Sequence, residues 1–108
     1  MKQDLIRRNI SDSITVKQKL LQNDTIIVDI TKVAELIVEA FNNGNKLLIC
    51  GNGGSAADAQ HLAAEFSGRY YLNRPPLHAE ALHTNTSFMT AVSNDFSFDE
   101  VYARLIQG

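Results

Sequence analysis

The segment from residue 47 to residue 66, LLICGNGGSAADAQHLAAEF, constrains the fold more than any other part of the chain. It begins with a short apolar run, passes through a turn that contains Gly51, Gly53 and Gly54, and ends in a stretch with helical periodicity. A buried strand, a glycine turn and a helix in this order leave backbone N–H groups free at the start of the helix. Such a turn is a natural place to bind a phosphate or another anion.

The bulk properties of the chain exclude several classes of protein. Its 108 residues suit one small domain, and its net charge of -2, without any block of basic residues, gives no sign of nucleic-acid binding. Cys50 is the only cysteine, so an internal disulfide is impossible and a reducing compartment is favoured. The polar N-terminus does not resemble a signal peptide, and no apolar run approaches the ~20 residues that cross a bilayer. We expect a cytoplasmic protein with no nucleic-acid or membrane partner.

The first part of the chain has the pattern of two amphipathic helices. In residues 2–21, Ile6, Ile10 and Ile14 recur at four-residue steps, and in the second helix apolar residues recur from position 26 to position 41. Asn23 or Asp24 can cap the start of the second helix, and Gly44 is a candidate left-handed C-cap. We interpret residues 1–44 as a helical segment used in oligomerisation.

Residues 45–108 alternate between strand and helix patterns. The predicted elements are a central strand over 46–50, a helix over 55–67 that ends at Gly68, a second strand over 78–82, and helices over 84–93 and 98–106. Strands that alternate with helices indicate an α/β fold with a parallel sheet flanked by helices. Two strands make a poor sheet on their own, so we expect an incomplete domain, or one that another copy completes. Cys50, in the first strand, is predicted to be buried in the core.

The helix after the glycine turn carries polar residues that are able to do chemistry. Ser55 is predicted to be its N-cap, with Asp58 as a capping-box partner, and the Ser55 hydroxyl or amide could also contact a ligand. His61 and Glu65 are four residues apart and lie on one face of the helix. Such a pair is often only an exposed helix pair. Directly after an anion-binding turn it could instead be two metal ligands, or a carboxylate base oriented by its neighbour.

Other candidate residues have two interpretations each. Gly51, Gly53 and Ala56 fit a dinucleotide fingerprint, but two helices precede the strand and no acidic residue ends the next one, so we disfavour it. Asn94-Asp95 is either a simple turn or a binding site for sugar hydroxyls. Arg69 could pair with an anion or remain a solvated charge. His78 and His83 have no partner at ligand spacing and are interpreted as structural.

Several of these motifs together resemble the phosphoheptose isomerases, the sedoheptulose 7-phosphate isomerases of the SIS fold. The similar stretches are CGNGGSAADAQH at 50–61, Ala64-Glu65, Gly68-Arg69-Tyr70, Asn73-Arg74-Pro75 and Asn94-Asp95-Phe96. The resemblance covers essentially the whole chain but only about the first half of the family's sequence. It implies an SIS-type, flavodoxin-like parallel sandwich that is incomplete in this chain.

The resemblance also implies a function and a set of site residues. The family converts sedoheptulose 7-phosphate to D-glycero-D-manno-heptose 7-phosphate by proton transfer through an enediol, for lipopolysaccharide core or other heptose pathways, as a cytoplasmic homotetramer with zinc. His61 and Glu65 would be zinc ligands, and Glu65 would also be the catalytic base. The residues implied to contact substrate are Asn52, Gly53, Gly54, Ser55, Glu65, Asn94, Asp95 and, as a weaker candidate, Arg69.

The chain departs from the family because the second half is missing. That half carries a Ser/Thr-rich phosphate loop and a helix whose Gln and His supply the remaining zinc ligands and the acid. We therefore expect the 108-residue chain alone to be a poor catalyst or none. Two other functions stay open: a non-catalytic SIS tetramer that binds a replication-initiator protein, which the carboxylate of Glu65 disfavours, and a sugar-phosphate sensor.

Overall fold

The structure is a computed structural model that describes all residues 1–108, and it contains five α-helices and one sheet of two strands. The elements are α1 (Lys2–Leu21), α2 (Asp24–Asn42), β1 (Leu47–Ile49), α3 (Gly54–Ser67), β2 (Ala79–Ala81), α4 (Thr86–Asp95) and α5 (Val101–Gln107). Short 3₁₀ turns over Leu82–Thr84 and Phe98–Glu100 precede α4 and α5. The chain divides into two units, Met1–Glu39 and Ala40–Gly108. None of the five helices combines the length and apolar character needed to cross a bilayer.

The first unit consists of α1 and most of α2, and neither helix has a buried residue. The predicted helix over residues 2–21 is confirmed. Asn23 is the cap of α2, because its side-chain oxygen accepts a hydrogen bond from the Ile26 N–H at 3.1 Å. Most of the apolar residues that recur along both helices are exposed by 40% or more, and their periodicity creates an apolar face without a core.

The second unit begins in the last turn of α2, where the chain leaves the helix through a Schellman motif. Gly44 has a φ of 73° and its N–H bonds to the Phe41 carbonyl, while the Asn45 N–H bonds to the Ala40 carbonyl at 2.8 Å. A residue with a Cβ is disfavoured at this φ, so the predicted role of Gly44 as C-cap is confirmed. The motif turns the chain towards β1.

The two strands form a parallel pair in which Leu47 lies opposite Ala79 and Ile49 opposite Ala81. The parallel pairing predicted from the alternation of elements is confirmed. The first strand is shorter than predicted and is not central, since it has one neighbour and ends at Ile49. The prediction that Cys50 is a core residue is wrong: it is exposed, because it lies beyond the last paired residue, where the glycine turn begins.

Small side chains bring α3 close to the sheet. Ala59 and Ala63 of the helix pack against Ala79 and Ala81 of β2, and all four are buried. Three larger apolar residues surround this cluster: Leu47, Ile49 and Phe66. Alanines on both surfaces allow a close approach of helix and sheet, so β1 and β2 fix the direction of α3 and hence of the polar residues along it.

The last two helices begin two to three residues later than predicted. Asn85 caps α4 by accepting a hydrogen bond from the Phe88 N–H at 3.0 Å, while the preceding residues form a 3₁₀ turn. The helix continues through Asn94 and Asp95, so the interpretation of these residues as a simple turn is wrong, while their binding of sugar hydroxyls stays a prediction. At the start of α5, Val101 has an exposed fraction of 0% and anchors this helix in the core.

Candidate functional site

The glycine turn between β1 and α3 has a backbone shape that requires glycine. A Cβ added to Gly51 would lie 2.5 Å from the carbonyl oxygen of Ser55, which is a backbone clash that no rotamer change relieves. Gly53 has a φ of 55° and is the N-cap of α3. The turn is closed by the Ser55 N–H, which donates to the Asn52 carbonyl at 3.0 Å. The predicted strand, glycine turn and helix are therefore confirmed.

The predicted capping role of Ser55 is wrong. The helix begins at Gly54, so Ser55 lies inside its first turn, and no side chain caps this end. The capping box with Asp58 is absent for the same reason, because Ser55 is not at the N-cap position. The carbonyl of Gly53, which is at that position, accepts hydrogen bonds from the N–H groups of Ala56 and Ala57 at 3.1 and 3.3 Å. The Ala57 bond is the first ordinary helical bond, so of the two N–H groups only that of Ala56 is one that an anion could otherwise take.

Tyr102 of α5 contacts the glycine turn, which the sequence analysis did not predict. Its hydroxyl lies 3.0 Å from the Gly51 carbonyl oxygen and 3.3 Å from the Asn52 side-chain oxygen. The two partners are 51 and 50 residues away along the chain, so no local pattern points to the contact. The hydroxyl ties the C-terminal helix to the glycine turn.

The turn and the C-terminal helices enclose a cleft of about 300 Å³. Its lining residues are Gly51, Asn52, Gly53, Ala56, His83, Thr86, Met89, Thr90 and Tyr102. His83, which the sequence analysis interpreted as structural, lies in this lining, and its Nδ1 atom is buried without a hydrogen-bond partner. Polar groups from the glycine turn, the end of β2 and two helices thus converge on one concave surface, as in small-molecule binding sites.

His61 and Glu65 are brought together as predicted from their spacing. The His61 Nε2 atom lies 3.2 Å from Glu65 Oε1, and the side chains are 79% and 34% exposed. Two zinc ligand atoms at about 2.0–2.2 Å from a tetrahedral ion lie about 3.4 Å apart, so this spacing fits two of the four ligands. The structure contains no group of three His, Cys, Asp or Glu residues that could hold a metal. The pair therefore has the spacing of two zinc ligands, and no third candidate ligand accompanies it.

The C-terminal end of α3, which carries Glu65, is held by Arg74. The Arg74 guanidinium donates to the Phe66 carbonyl at 2.9 Å and to the Glu65 carbonyl at 3.1 Å. A cation at this end also interacts favourably with the helix dipole. The sequence analysis assigned no role to Arg74, although the two prolines after it indicate an irregular segment in which a long side chain could fold back on the helix.

Glu65 lines a second cleft, of about 250 Å³, that does not include the glycine turn. The other residues around it are Leu62, Phe66, Tyr70, Arg74 and Leu77. A hydrogen bond with the Tyr71 side chain, followed by partial desolvation and the negative charge of Glu65, raises the pKa of Tyr70. Tyr70 is therefore a neutral hydroxyl in the neutral pH range, within electrostatic reach of the carboxylate.

The structure does not bring all the predicted site residues together. Ser55 and Glu65 are ten residues apart on α3, which corresponds to roughly 15 Å along the helix axis. Asn94 and Asp95 are exposed and form one contact with each other, from the Asn94 amide to the Asp95 carboxylate at 3.4 Å. Arg69 is exposed just beyond α3. Within one chain, the glycine turn and the His61–Glu65 pair thus lie towards opposite ends of α3.

Comparison with known proteins identifies the family to which this fold belongs. A family model described as the SIS domain matches residues 10–107, which is nearly the whole chain. The chain therefore belongs to the SIS domain family.

Its relatives within that family are phosphoheptose isomerases. The chain is 45% identical over 104 residues to the phosphoheptose isomerase of Aneurinibacillus thermoaerophilus, an alignment that covers 96% of this chain and 52% of the relative. Among solved structures, a phosphoheptose isomerase from Neisseria gonorrhoeae matches with a TM-score of 0.84 and 40% identity over 99% of this chain and 54% of that one. One from Francisella tularensis matches with a TM-score of 0.89 and 31% identity, over 98% and 55% of the two chains. The chain spans about half the length of these relatives, and the expected SIS fold is confirmed for that half.

Proposed function

We propose that this chain is the first half of a sedoheptulose 7-phosphate isomerase, in which it supplies the catalytic base, part of a zinc site and part of the substrate site. The observation that carries the proposal is the His61–Glu65 contact on the helix that follows the glycine turn. Strong similarity to proteins named phosphoheptose isomerase over nearly the whole chain supports it. The expected product is D-glycero-D-manno-heptose 7-phosphate.

In this proposal the Glu65 carboxylate is both a metal ligand and the catalytic base. Oε1 lies 3.2 Å from His61 Nε2, and in the proposed site the two atoms would hold the same metal ion. The carboxylate takes the proton from one carbon of the sugar and returns it to the neighbouring carbon. The hydroxyl proton must also pass to the former carbonyl oxygen, and we expect the acid for that step in the part of the relatives that this chain does not span. Arg74 keeps this end of α3 in place through its bonds to the Glu65 and Phe66 carbonyls.

His61 Nε2 and Glu65 Oε1 would be the zinc ligands that this chain contributes. Zinc, when bound, would polarise the sugar carbonyl and stabilise negative charge that develops on its oxygen. Two ligands fall short of a closed tetrahedral site, so we expect weak zinc binding by the 108-residue chain. The residues implied to complete the site lie in the part of the relatives that this chain does not span.

The distance between the glycine turn and the His61–Glu65 pair also bears on assembly. From phosphorus to the reacting carbons, a seven-carbon sugar phosphate spans roughly 9 Å when extended, given single bonds of about 1.5 Å. This is shorter than the ~15 Å that separate Ser55 from Glu65 along α3. We therefore propose that a phosphate held at the glycine turn of one copy places its sugar near Glu65 of another copy, or that the phosphate is held by the remaining half of the protein.

The remaining parts of the proposal concern assembly and cellular context. We propose a homotetramer, as the resemblance to the phosphoheptose isomerases implies, and the exposed apolar faces of α1 and α2 support self-association. An exposed, unpaired Cys50 is compatible with the reducing cytoplasm. A heptose phosphate made there would feed lipopolysaccharide core or another heptose pathway.

The test is a titration of the 108-residue chain with sedoheptulose 7-phosphate, with added zinc and with a chelator. Binding is followed by NMR at the amides of Gly53 and Gly54, and turnover is followed by the appearance of the aldose. We expect binding without appreciable turnover. Zinc-dependent turnover would also support the proposal, and it would show that copies of the chain complete the site. No binding up to about 10 mM, well above ordinary KM values, would overturn it.

A pair of variants separates the isomerase from the sensor and the scaffold. Glu65→Gln should weaken zinc binding and abolish any turnover while assembly remains. Glu80→Gln removes the same charge from an exposed position in β2 and should change neither. Equal zinc binding by the two variants, measured by competition with a metal-sensitive dye, would contradict the role of Glu65.

A further inference from the structure

We propose that Tyr102 is a positioning residue that holds the Gly51 carbonyl and the Asn52 side chain in the arrangement that receives a sugar phosphate. This inference rests on the proposed function, because it takes the ~300 Å³ cleft beside the glycine turn as the ligand site. Tyr102 acts through the turn, and its own contact with the ligand is not required.

The distances show how one hydroxyl can serve both partners. The Tyr102 oxygen lies 3.0 Å from the Gly51 carbonyl oxygen and 3.3 Å from the Asn52 side-chain oxygen, but a hydroxyl has one proton to donate. With the Asn52 amide rotated by half a turn, its NH₂ group donates to the Tyr102 oxygen while the Tyr102 hydroxyl donates to Gly51. This chain of two hydrogen bonds satisfies every partner and leaves the Asn52 oxygen free to accept a hydrogen bond from the ligand.

The turn needs an external support because its own backbone is permissive. Gly51 and Gly53 have no side chains that could pack against a neighbour, so their backbone conformations are the least restrained in the turn. The local hydrogen bonds come from the N–H groups of the following helix and end on the Asn52 and Gly53 carbonyls. The Gly51 carbonyl is held by Tyr102 instead.

Tyr102 is suited to this role because α5 is itself well anchored. The neighbouring Val101 side chain is completely buried. The Tyr102 ring contacts the Phe98 ring edge-on, with centroids 6.2 Å apart, and the Arg104 guanidinium lies 4.4 Å from the centre of the Phe96 ring. These contacts fix the hydroxyl without help from the turn, so it can act as a fixed point for Asn52.

The first experiment compares Tyr102→Phe with Tyr71→Phe by NMR, without any ligand. Both variants lose one phenolic hydroxyl, but Tyr71 is 87% exposed and lies outside the turn. In Tyr102→Phe we expect the Asn52 side-chain NH₂ signals and the Gly53 amide to shift, and the amides from Ser55 to Ala57 to exchange faster with solvent. In Tyr71→Phe these signals should stay unchanged. Unchanged Asn52 and Gly53 signals in Tyr102→Phe would overturn the inference.

The second experiment is a double-mutant cycle with sedoheptulose 7-phosphate as the probe. Tyr102→Phe should weaken its binding about fivefold, the usual effect of one hydrogen bond, and Asn52→Ala should weaken it at least as much. Once Asn52 is gone, Tyr102→Phe should lose the part of its effect that runs through that side chain, so the two effects should combine to less than their product. Effects that multiply would overturn the inference. Failure of the wild-type chain to bind the sugar phosphate would instead overturn the proposed function, and the ligand-free NMR comparison would still decide the role of Tyr102.

Discussion

The two units of the chain use apolar residues in opposite ways. Met1–Glu39 contains a clear amphipathic pattern and no buried residue, whereas Ala40–Gly108 contains all of the buried apolar residues of the chain. These are Ala59, Ala63, Ala79, Ala81, Leu82, Val92 and Val101. An apolar stripe on a helix therefore shows that a face will be covered, but not by what. The second unit buries apolar residues within itself, and we expect another molecule to cover the apolar faces of the first unit.

The largest expected effect tests whether the first unit is covered by another copy. Replacing Ile6, Ile10 and Ile14 together by Gln should weaken self-association by about 10³, or roughly 4 kcal/mol, since each half-exposed side chain loses about 1–1.5 kcal/mol of burial. Sedimentation velocity over a dilution series measures this. Gln has a good helix propensity, so α1 should persist.

The matched control for this prediction changes Arg8 and Asp12 to Gln. At 100° per residue these positions lie on the opposite side of α1, and association should stay within a factor of a few of the wild type. A wild-type chain that remains monomeric at every concentration, or a triple isoleucine variant that associates as well as the wild type, would remove the contrast between the two units.

The second prediction concerns the glycine turn. Gly51→Ala should lower the free energy of unfolding of the second unit by about 3 kcal/mol, because the new methyl group would meet the Ser55 carbonyl at 2.5 Å and the backbone must move. Urea unfolding followed by circular dichroism measures the loss. Gly54→Ala adds a methyl group in open space at the start of α3 and should be neutral or slightly stabilising. Similar losses in both variants would refute the steric argument.

A third prediction compares one valine in each unit. Val101→Ala removes two methyl groups from a completely buried site and should cost about 2 kcal/mol of unfolding free energy. Val38→Ala, at a position that is 58% exposed in α2, should cost less than about 0.5 kcal/mol in the dissociated chain. Thermal denaturation at high dilution gives both values, and a cost at Val38 equal to that at Val101 would mean that the first unit has a core of its own.

The smallest effect comes from the two asparagine caps. Asn85→Ala and Asn23→Ala each remove one cap hydrogen bond, of 3.0 and 3.1 Å, and should cost about 1 kcal/mol. For Asn85 the loss should appear as a lower midpoint of cooperative unfolding. For Asn23 it should appear as a gradual loss of helical signal at the start of α2, which has no core to make the transition cooperative. If both variants showed the same shift of one cooperative transition, the two units would unfold together, which contradicts the distinction drawn between them.

Local patterns in the sequence predicted most of the elements. The isoleucine spacing predicted α1, Asn23 and Gly44 marked the start and the end of α2, and the alternation of strands and helices predicted the parallel pair. One error falls where two residues close in the chain compete for the same position at the start of a helix. Serine is preferred over glycine at helix N-caps, yet Gly53 rather than Ser55 is the N-cap of α3 because glycine tolerates a φ of 55°.

The candidate site was predictable only in its local parts. The His61–Glu65 contact follows from helical spacing, and the glycine turn from its composition. Tyr102 and Arg74 were not identified, because each donates a hydrogen bond to a backbone carbonyl. Every residue has a carbonyl group, so such a contact leaves no signal in the sequence. Cys50 was assigned to the core because the length of a strand depends on its neighbours, which a single sequence does not reveal.

The shortness of the two strands has a consequence for solubility. Each strand has one open side, where unpaired backbone groups could recruit a strand from another molecule and begin a fibre. Leu47–Ile49 and Ala79–Ala81 have only three residues each, about half of the six or seven that a cross-β segment needs. Such short edges offer too few hydrogen bonds to hold a foreign strand. We therefore expect concentrated solutions of the chain to form finite assemblies through the helices rather than fibrils.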